Sequence, residues 1–285
     1  MKQLEMSGVK KICLRLQGGF CNRVRAIASG VLWAEDLGAT LELFWPVEKG
    51  HMPCPLEQLI DQKSIDRLTY VHAGYLRNAR QILGEGDMRA ALQVSMTEYI
   101  LHIQSYSVFH PDLANRSERG LAALRKIRII PELVQTADSL FPFFTPQGLT
   151  MLEPSSHYGV TVLQPSSHYG VTGIHVRRTD HAKCIAASPV AAFEKAIAEE
   201  LALNPAAKFC LVTDELAVKM RFQNLYGPAL FTTDLPLGRM TVEQQQSGVI
   251  DFLLLHKCSK ILASEGSSFS ELAALRSGIE LVCVK

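Results

Sequence analysis

Residues 9–45 constrain the fold most. Residues 9–16 read as an apolar strand, Gln17-Gly18-Gly19-Phe20 as a glycine turn and 22–37 as a helix. Val24, Ile27, Ala28, Val31 and Leu32 recur at three- and four-residue steps, the period of an amphipathic helix. Gly38 stands where a left-handed residue ends a helix. Residues 40–45 form a second strand, closed by Pro46. Strand, crossover helix and strand make a βαβ unit, which calls for a parallel sheet.

The same rhythm returns in the second half. Residues 171–177, 208–213, 229–232, 260–263 and 280–284 read as strands, with helices at 189–203, 215–225, 242–257 and 270–277. Residues 46–150 are less regular, with strands expected at 68–71 and 99–103 and helices at 116–127 and 132–140. Pro142, Pro146 and Gly148 mark a loop. The expectation is an α/β chain of two Rossmann-like domains facing a cleft, 1–150 and 151–285. Pro154-Ser155-Ser156-His157-Tyr158-Gly159-Val160-Thr161 recurs eleven residues later as residues 165–172. Only the second copy runs into a strand, so the first reads as an inserted loop or hairpin.

Composition narrows the function. Lysine plus arginine is 29 and aspartate plus glutamate 28, a net charge of +1, which argues against a general nucleic-acid binder. At 47% hydrophobic residues the chain is not of the disordered class. No run approaches the ~18 apolar residues of a membrane span, and residues 1–8 lack a secretory apolar core. The seven cysteines are scattered and form no CxxC pair. They read as reduced, mostly buried thiols, so a cytoplasmic location is expected.

Chemistry concentrates at strand ends. Gly173-Ile174-His175-Val176 is followed by Arg177-Arg178-Thr179-Asp180. Ligands of open parallel sheets sit beyond the carboxyl ends of strands, and a guanidinium there matches a phosphate. The plainer reading is an Arg–Asp ion pair on a solvated terminus. Thr213-Asp214-Glu215 ends a second strand, and Ser264-Glu265-Gly266-Ser267-Ser268 leads from a third into a helix. Serines and backbone N–H groups at a helix start suit phosphate oxygens, although simple N-capping explains one serine equally well. His175 reads as a hydrogen-bonded buried histidine rather than a ligand. There is no GxGxxG, no P-loop, no D-x-D pair and no histidine pair at metal spacing, so no metal site is expected.

Taken in order, these pieces resemble the fucosyltransferase superfamily of α-1,6-, α-1,2- and protein O-fucosyltransferases. Gly18-Gly19-Phe20-Cys21-Asn22-Arg23 is similar to its glycine-rich loop. Arg177-Arg178-Thr179-Asp180 resembles its arginine motif, and the paired arginines point to the α-1,6 branch. Thr213-Asp214-Glu215, Asp251 before Phe252-Leu253-Leu254, and Ser267-Ser268-Phe269-Ser270 are similar to its later motifs. The resemblance implies a GT-B fold with a GDP-sugar-binding second domain and an acceptor-side first domain. It implies inverting, metal-independent transfer of fucose from GDP-fucose, a substrate rather than a cofactor, to a glycan or peptide hydroxyl. By that resemblance Arg177 and Arg178 would bind the diphosphate, and Asp251 the guanine or ribose. Ser267 and Ser268 would hold phosphate oxygens, Asp214 would face the donor, and Asn22 and Arg23 would line the cleft. Asp180 and Glu215 are the alternatives for the general base. Two other readings keep this site: transfer of another GDP-hexose, or nucleotide-sugar binding without transfer.

Overall fold

The structure, a computed structural model, describes residues 8–49, 51–94, 100–141, 170–179 and 182–285. Asp180, the first copy of the repeat, the first five residues of the second and the expected boundary at 150 lie outside these. The chain divides into two compact units, Met1–Leu133 with Gly238–Val249, and Val134–Leu237 with Ile250–Lys285. Among the described residues no helix is long and apolar enough to cross a membrane.

The first unit carries β1 (Lys11–Leu16), α1 (Phe20–Leu37), β2 (Thr40–Phe44), β3 (Leu68–His72), β4 (Arg80–Gln81), α2 (Glu85–Val94), β5 (Ile100–Ser105), α3 (Pro111–Ala114) and α4 (Glu118–Lys126). α5 (Pro131–Leu140) then carries the chain into the second. The strand order is β3-β2-β1-β5-β4, with every pair parallel. Ile12, Leu14, Leu16, Leu41, Leu43, Leu101 and Ile103 alternate onto one face and are buried. α1 packs there. A Cβ on its Gly30 would come within 2.9 Å of the Leu14 side chain, so the glycine permits the close approach. Gly38 ends α1 at φ 61, and its N–H reaches the carbonyls of Ala34 and Glu35.

The second unit continues with β6 (Val171–Val176), α6 (Ala182–Ala187), α7 (Val190–Leu203), β7 (Lys208–Thr213), α8 (Leu216–Tyr226), β8 (Leu230–Phe231), α9 (Val242–His256, whose first half falls in the first unit), β9 (Lys260–Ser264), α10 (Ser268–Ser277) and β10 (Glu280–Val284). Its order is β10-β9-β6-β7-β8, again parallel throughout. β6 is central and buried along its whole length. Ile174, Val176, Phe193, Ile197, Phe209, Leu211, Phe222 and Leu262 form the core on one of its faces.

The second sheet is doubly wound. In it, the chain steps from β6 to β7 and β8 on one side, then returns to β9 and β10 on the other. The order therefore reverses between β6 and β9, where open α/β sheets hold their ligands. Elements absent from the sequence reading are β4, α2, α3 and α6, and α10 starts at Ser268 rather than 270. Six cysteines are buried, but Cys283, on edge strand β10, is exposed.

Candidate functional site

The residues beyond β6, β7 and β9 form one network. The Asp214 carboxylate, just past β7, accepts from the Arg178 backbone N–H at 2.8 Å and from the Thr179 hydroxyl at 2.8 Å. It also pairs with the Arg177 guanidinium at 2.6 Å. The Arg177 backbone N–H donates to Ser264 Oγ at the end of β9, 3.0 Å away. Thr213 Oγ1 donates to the Val176 carbonyl and accepts from the Glu215 N–H. Polar side chains thus fix the turn after β6 from both neighbouring strands. The guanidinium of Arg177 is held at the reversal point, with its side chain 19% exposed.

The start of α10 lies beside it. Gly266 takes φ +74, which turns the chain from β9 into the helix. Ser267 is the N-cap residue, yet its side chain makes no capping hydrogen bond. Phe269 stacks on the His175 ring, centroids 4.9 Å apart, and so ties the first turn of α10 to β6. The unmet N–H groups of a helix start carry partial positive charge. Arg177 adds a full one, which the Asp214 carboxylate partly offsets.

His175 is buried, as expected, but its Nδ1 has no hydrogen-bond partner among the described residues. Burial, reinforced by the nearby Arg177 charge, lowers its pKa to about 4. The ring is therefore a neutral packing group beneath the arginine.

The expected donor-site arginines split in role. Arg178 is 6% exposed, and its guanidinium donates to the carbonyls of Ile185 and Ser188. Burial works against its charge, which Glu215 and Asp214 support. It therefore braces the loop around α6 instead of pointing outward. Ser188, held this way, accepts from the Glu265 N–H and so also braces the turn after β9. In the first unit Arg23 is fully buried. It donates to the carbonyls of Gly18 and Pro46 at 2.9 Å each and lies over the Trp45 ring. Asn22 packs against the Gly18 turn, where φ +74 and the closeness of Asn22 Nδ2 leave room only for glycine.

Asp251 belongs to a second cluster. It accepts from Thr233 Oγ1 at 3.1 Å, and Lys219 Nζ, buried on α8, donates to the Thr233 carbonyl and lies 3.4 Å from Asp234. Desolvation pushes the Asp251 carboxyl up to about 7, against the Thr233 hydrogen bond and the Lys219 charge. Glu215 is the N-cap residue of α8 and makes no side-chain cap, which leaves its carboxylate for other work. Ser188, Thr233 and Lys219 were not singled out from the sequence, and Ser264 was quoted only as part of a strand end. Each acts through a bond to distant backbone or a loop, which leaves no local pattern.

No family model and no curated protein matches the chain. Solved structures do. NodZ α-1,6-fucosyltransferase soaked with GDP-fucose, an enzyme known from Bradyrhizobium, matches with TM-score 0.59 over 94% of this chain and 92% of that one at 16% identity. POFUT1 in complex with GDP matches with TM-score 0.57 over 98% and 99% at 10% identity. A mutant of Arabidopsis thaliana FUT1 in complex with GDP matches with TM-score 0.60 over 98% of this chain and 72% of that one at 11% identity. The chain has a fucosyltransferase-like α/β fold of two Rossmann-like units, and the GT-B expectation agrees with these neighbours.

Proposed function

We propose that the protein is an inverting, metal-independent glycosyltransferase that moves fucose from GDP-fucose to a hydroxyl acceptor, glycan or peptide. The observation that carries this reading is the anion-ready corner of the second unit. There Arg177, locked by Asp214 and Ser264, adjoins an uncapped helix start at the reversal of a doubly wound sheet. The fold it shares with GDP-bound fucosyltransferases supports GDP as the nucleotide of this reading.

The chemistry is a single displacement. The acceptor oxygen attacks the anomeric carbon, and the bond to the β-phosphate oxygen breaks on the opposite side. The electron pair leaves with GDP. Arg177 and the N–H groups of α10 meet the charge that grows there, which is where fixed donors contribute most to rate. This arrangement supplies the positive charge from the protein itself, so a divalent cation is not required. Ser267 and Ser268 contact phosphate oxygens, Asp251 the guanine or ribose, and Asp214 holds Arg177 toward the donor. Asn22 remains a donor-binding candidate by the resemblance, while Arg23, bound to Gly18, shapes the loop that carries it. Arg178 serves the site by bracing its loops. The acceptor proton goes to a carboxylate, Glu215 or Asp180. All seven cysteines are free thiols, which fits a reducing cytoplasm.

The test is calorimetry against GDP, UDP and ADP with EDTA present. The reading predicts GDP-selective binding that survives EDTA. Equal binding of all three, or none, contradicts it.

A further inference from the structure

A buried lysine adjoins one of the proposed donor residues. Lys219 lies on the inner face of α8 with Val218 and Phe222, and it is 6% exposed. Lysine is almost never buried unless it is paired, because its ammonium loses its hydration there. It donates to the Thr233 carbonyl and lies 3.4 Å from the Asp234 carboxylate. The Asp234 side chain is almost fully exposed, so that ion pair is screened by water and holds little. The buried contact is therefore the one to the backbone of the turn after β8.

That turn leads to Asp251. Thr233, itself buried, directs its hydroxyl to Asp251 Oδ1 at 3.1 Å. Oδ2 takes no hydrogen bond from a described residue, and Asp251 is only partly buried, so the second oxygen is left for a ligand. The three residues come from α8, the turn after β8 and α9, and all belong to the second unit. The turn leaves the carboxyl end of its strand, the side on which open α/β sheets hold ligands. Packing alone would be met by an apolar residue at 219. A lysine there also pins the turn and brings positive charge toward the carboxylate. Burial disfavours the ionised form of Asp251, while the Thr233 hydroxyl and the Lys219 charge favour it. The other titratable groups on the elements packed here are Asp234, in solvent, and the Cys210 thiol of β7. The contact of Cys210 with Cys258, and its burial, keep that thiol neutral, with Asp251 adding to the effect.

We propose that Lys219 is the positioning residue of base recognition: through the Thr233 turn it holds Asp251 as an oriented acceptor for the N–H donors on the edge of guanine. The ligand rests on the GDP-sugar reading above. An ionised carboxylate only accepts hydrogen bonds, and guanine presents a ring N–H and an amino group side by side. A neutral carboxyl spoils that match. Lys219 acts through Thr233 and through its charge, not by touching the nucleotide.

The test is calorimetry of the full chain with GDP at pH 7 and pH 8.5, beside an NMR titration of the Asp251 carboxyl without nucleotide. Lys219→Met keeps most of the stem and removes the charge. The Asp251 midpoint should then rise from about 7 by about one pH unit or more, the effect of losing a neighbouring opposite charge. At pH 7 the variant should bind GDP about fivefold more weakly than the parent, and by pH 8.5 the gap should close to less than about twofold. Lys219→Arg, which keeps the charge, should recover most of the pH 7 affinity. Thr233→Val keeps the carbonyl that Lys219 uses and removes the hydroxyl, so it should raise the midpoint too, and it decides the matter if Lys219→Met folds poorly by far-UV circular dichroism. A GDP deficit equal at both pH values, or an unmoved Asp251 midpoint, makes Lys219 a packing group and overturns the proposal while GDP binding stands. A parent protein that binds no GDP overturns the donor reading, and the base-recognition role with it.

Discussion

Arg177 faces two demands: its guanidinium pairs with Asp214, and its backbone is pinned by Ser264. A side chain restrained in this way loses little freedom when a diphosphate arrives. Arg177→Ala should therefore cost about 2.7–4 kcal/mol of transition-state stabilisation, a fall of roughly 10²–10³ in kcat. Transfer from GDP-fucose, followed by GDP release, measures it, and near-parental turnover would remove the phosphate role. Two nearby groups carry pH signatures. The folded pKa of His175, about 4, lies below its ordinary value of 6.5. The unfolded chain binds that proton first, so the His175 contribution to stability is lost as pH falls from 6.5 toward 4. An NMR titration of the ring should show its midpoint near 4. Asp251 is displaced the other way, to about 7 from 3.8. Its burial costs stability as pH rises across that window, because the folded site must ionise later than the unfolded one. If its carboxylate accepts from the nucleotide, GDP affinity rises as pH passes through 7, and Asp251→Asn flattens the rise. Calorimetry at pH 6 and pH 8 is the check. The inward turn of Arg178 and Arg23 could not be read from their neighbours in sequence. A guanidinium after a strand or in a first helical turn looks the same whether carbonyls or a ligand await it.

Two helix starts separate structure from function at the scale of elements. Ser117 caps α4 in the ordinary way, accepting from the Gly120 N–H at 3.1 Å while donating to Asp112. Ser267 at α10 occupies the same position without making that bond. Ser117→Ala should therefore cost about 1 kcal/mol of stability. Ser267→Ala should cost well under that but weaken GDP binding about tenfold, the worth of a hydrogen bond to a charged group. Thermal melts and calorimetry of the two variants measure both. The elements most legible in the sequence were those with strong apolar periods, such as α1, β6, β7 and β10. α2 was hidden because Gly84 and Gly86 flank and interrupt its first turn, which breaks the helical signal. β4 has only two residues, too few for any period to register. The polar strand ends were visible as clusters. Their wiring was not, because Ser264 reaches Arg177 across 87 residues and Ser188 reaches Glu265 across 77.

Each unit of the molecule holds its own parallel sheet and core, and the proposed donor residues other than Asn22 and Arg23 all belong to the second. Both tryptophans, Trp33 and Trp45, are buried in the first. Tryptophan emission therefore follows the first unit on heating, while far-UV circular dichroism follows helices of both. GDP at about 100 times its Kd should stabilise the binding-competent fold by about 2.7 kcal/mol. A higher circular-dichroism midpoint is the expected result, and an unchanged midpoint would mean that no GDP is held. The most direct trial of the donor site is a crystal structure of the protein with GDP. The diphosphate should lie within hydrogen-bond reach of the Arg177 guanidinium and the first N–H groups of α10. A diphosphate bound anywhere else in the second unit, or density for none at saturating GDP, would contradict the assignment.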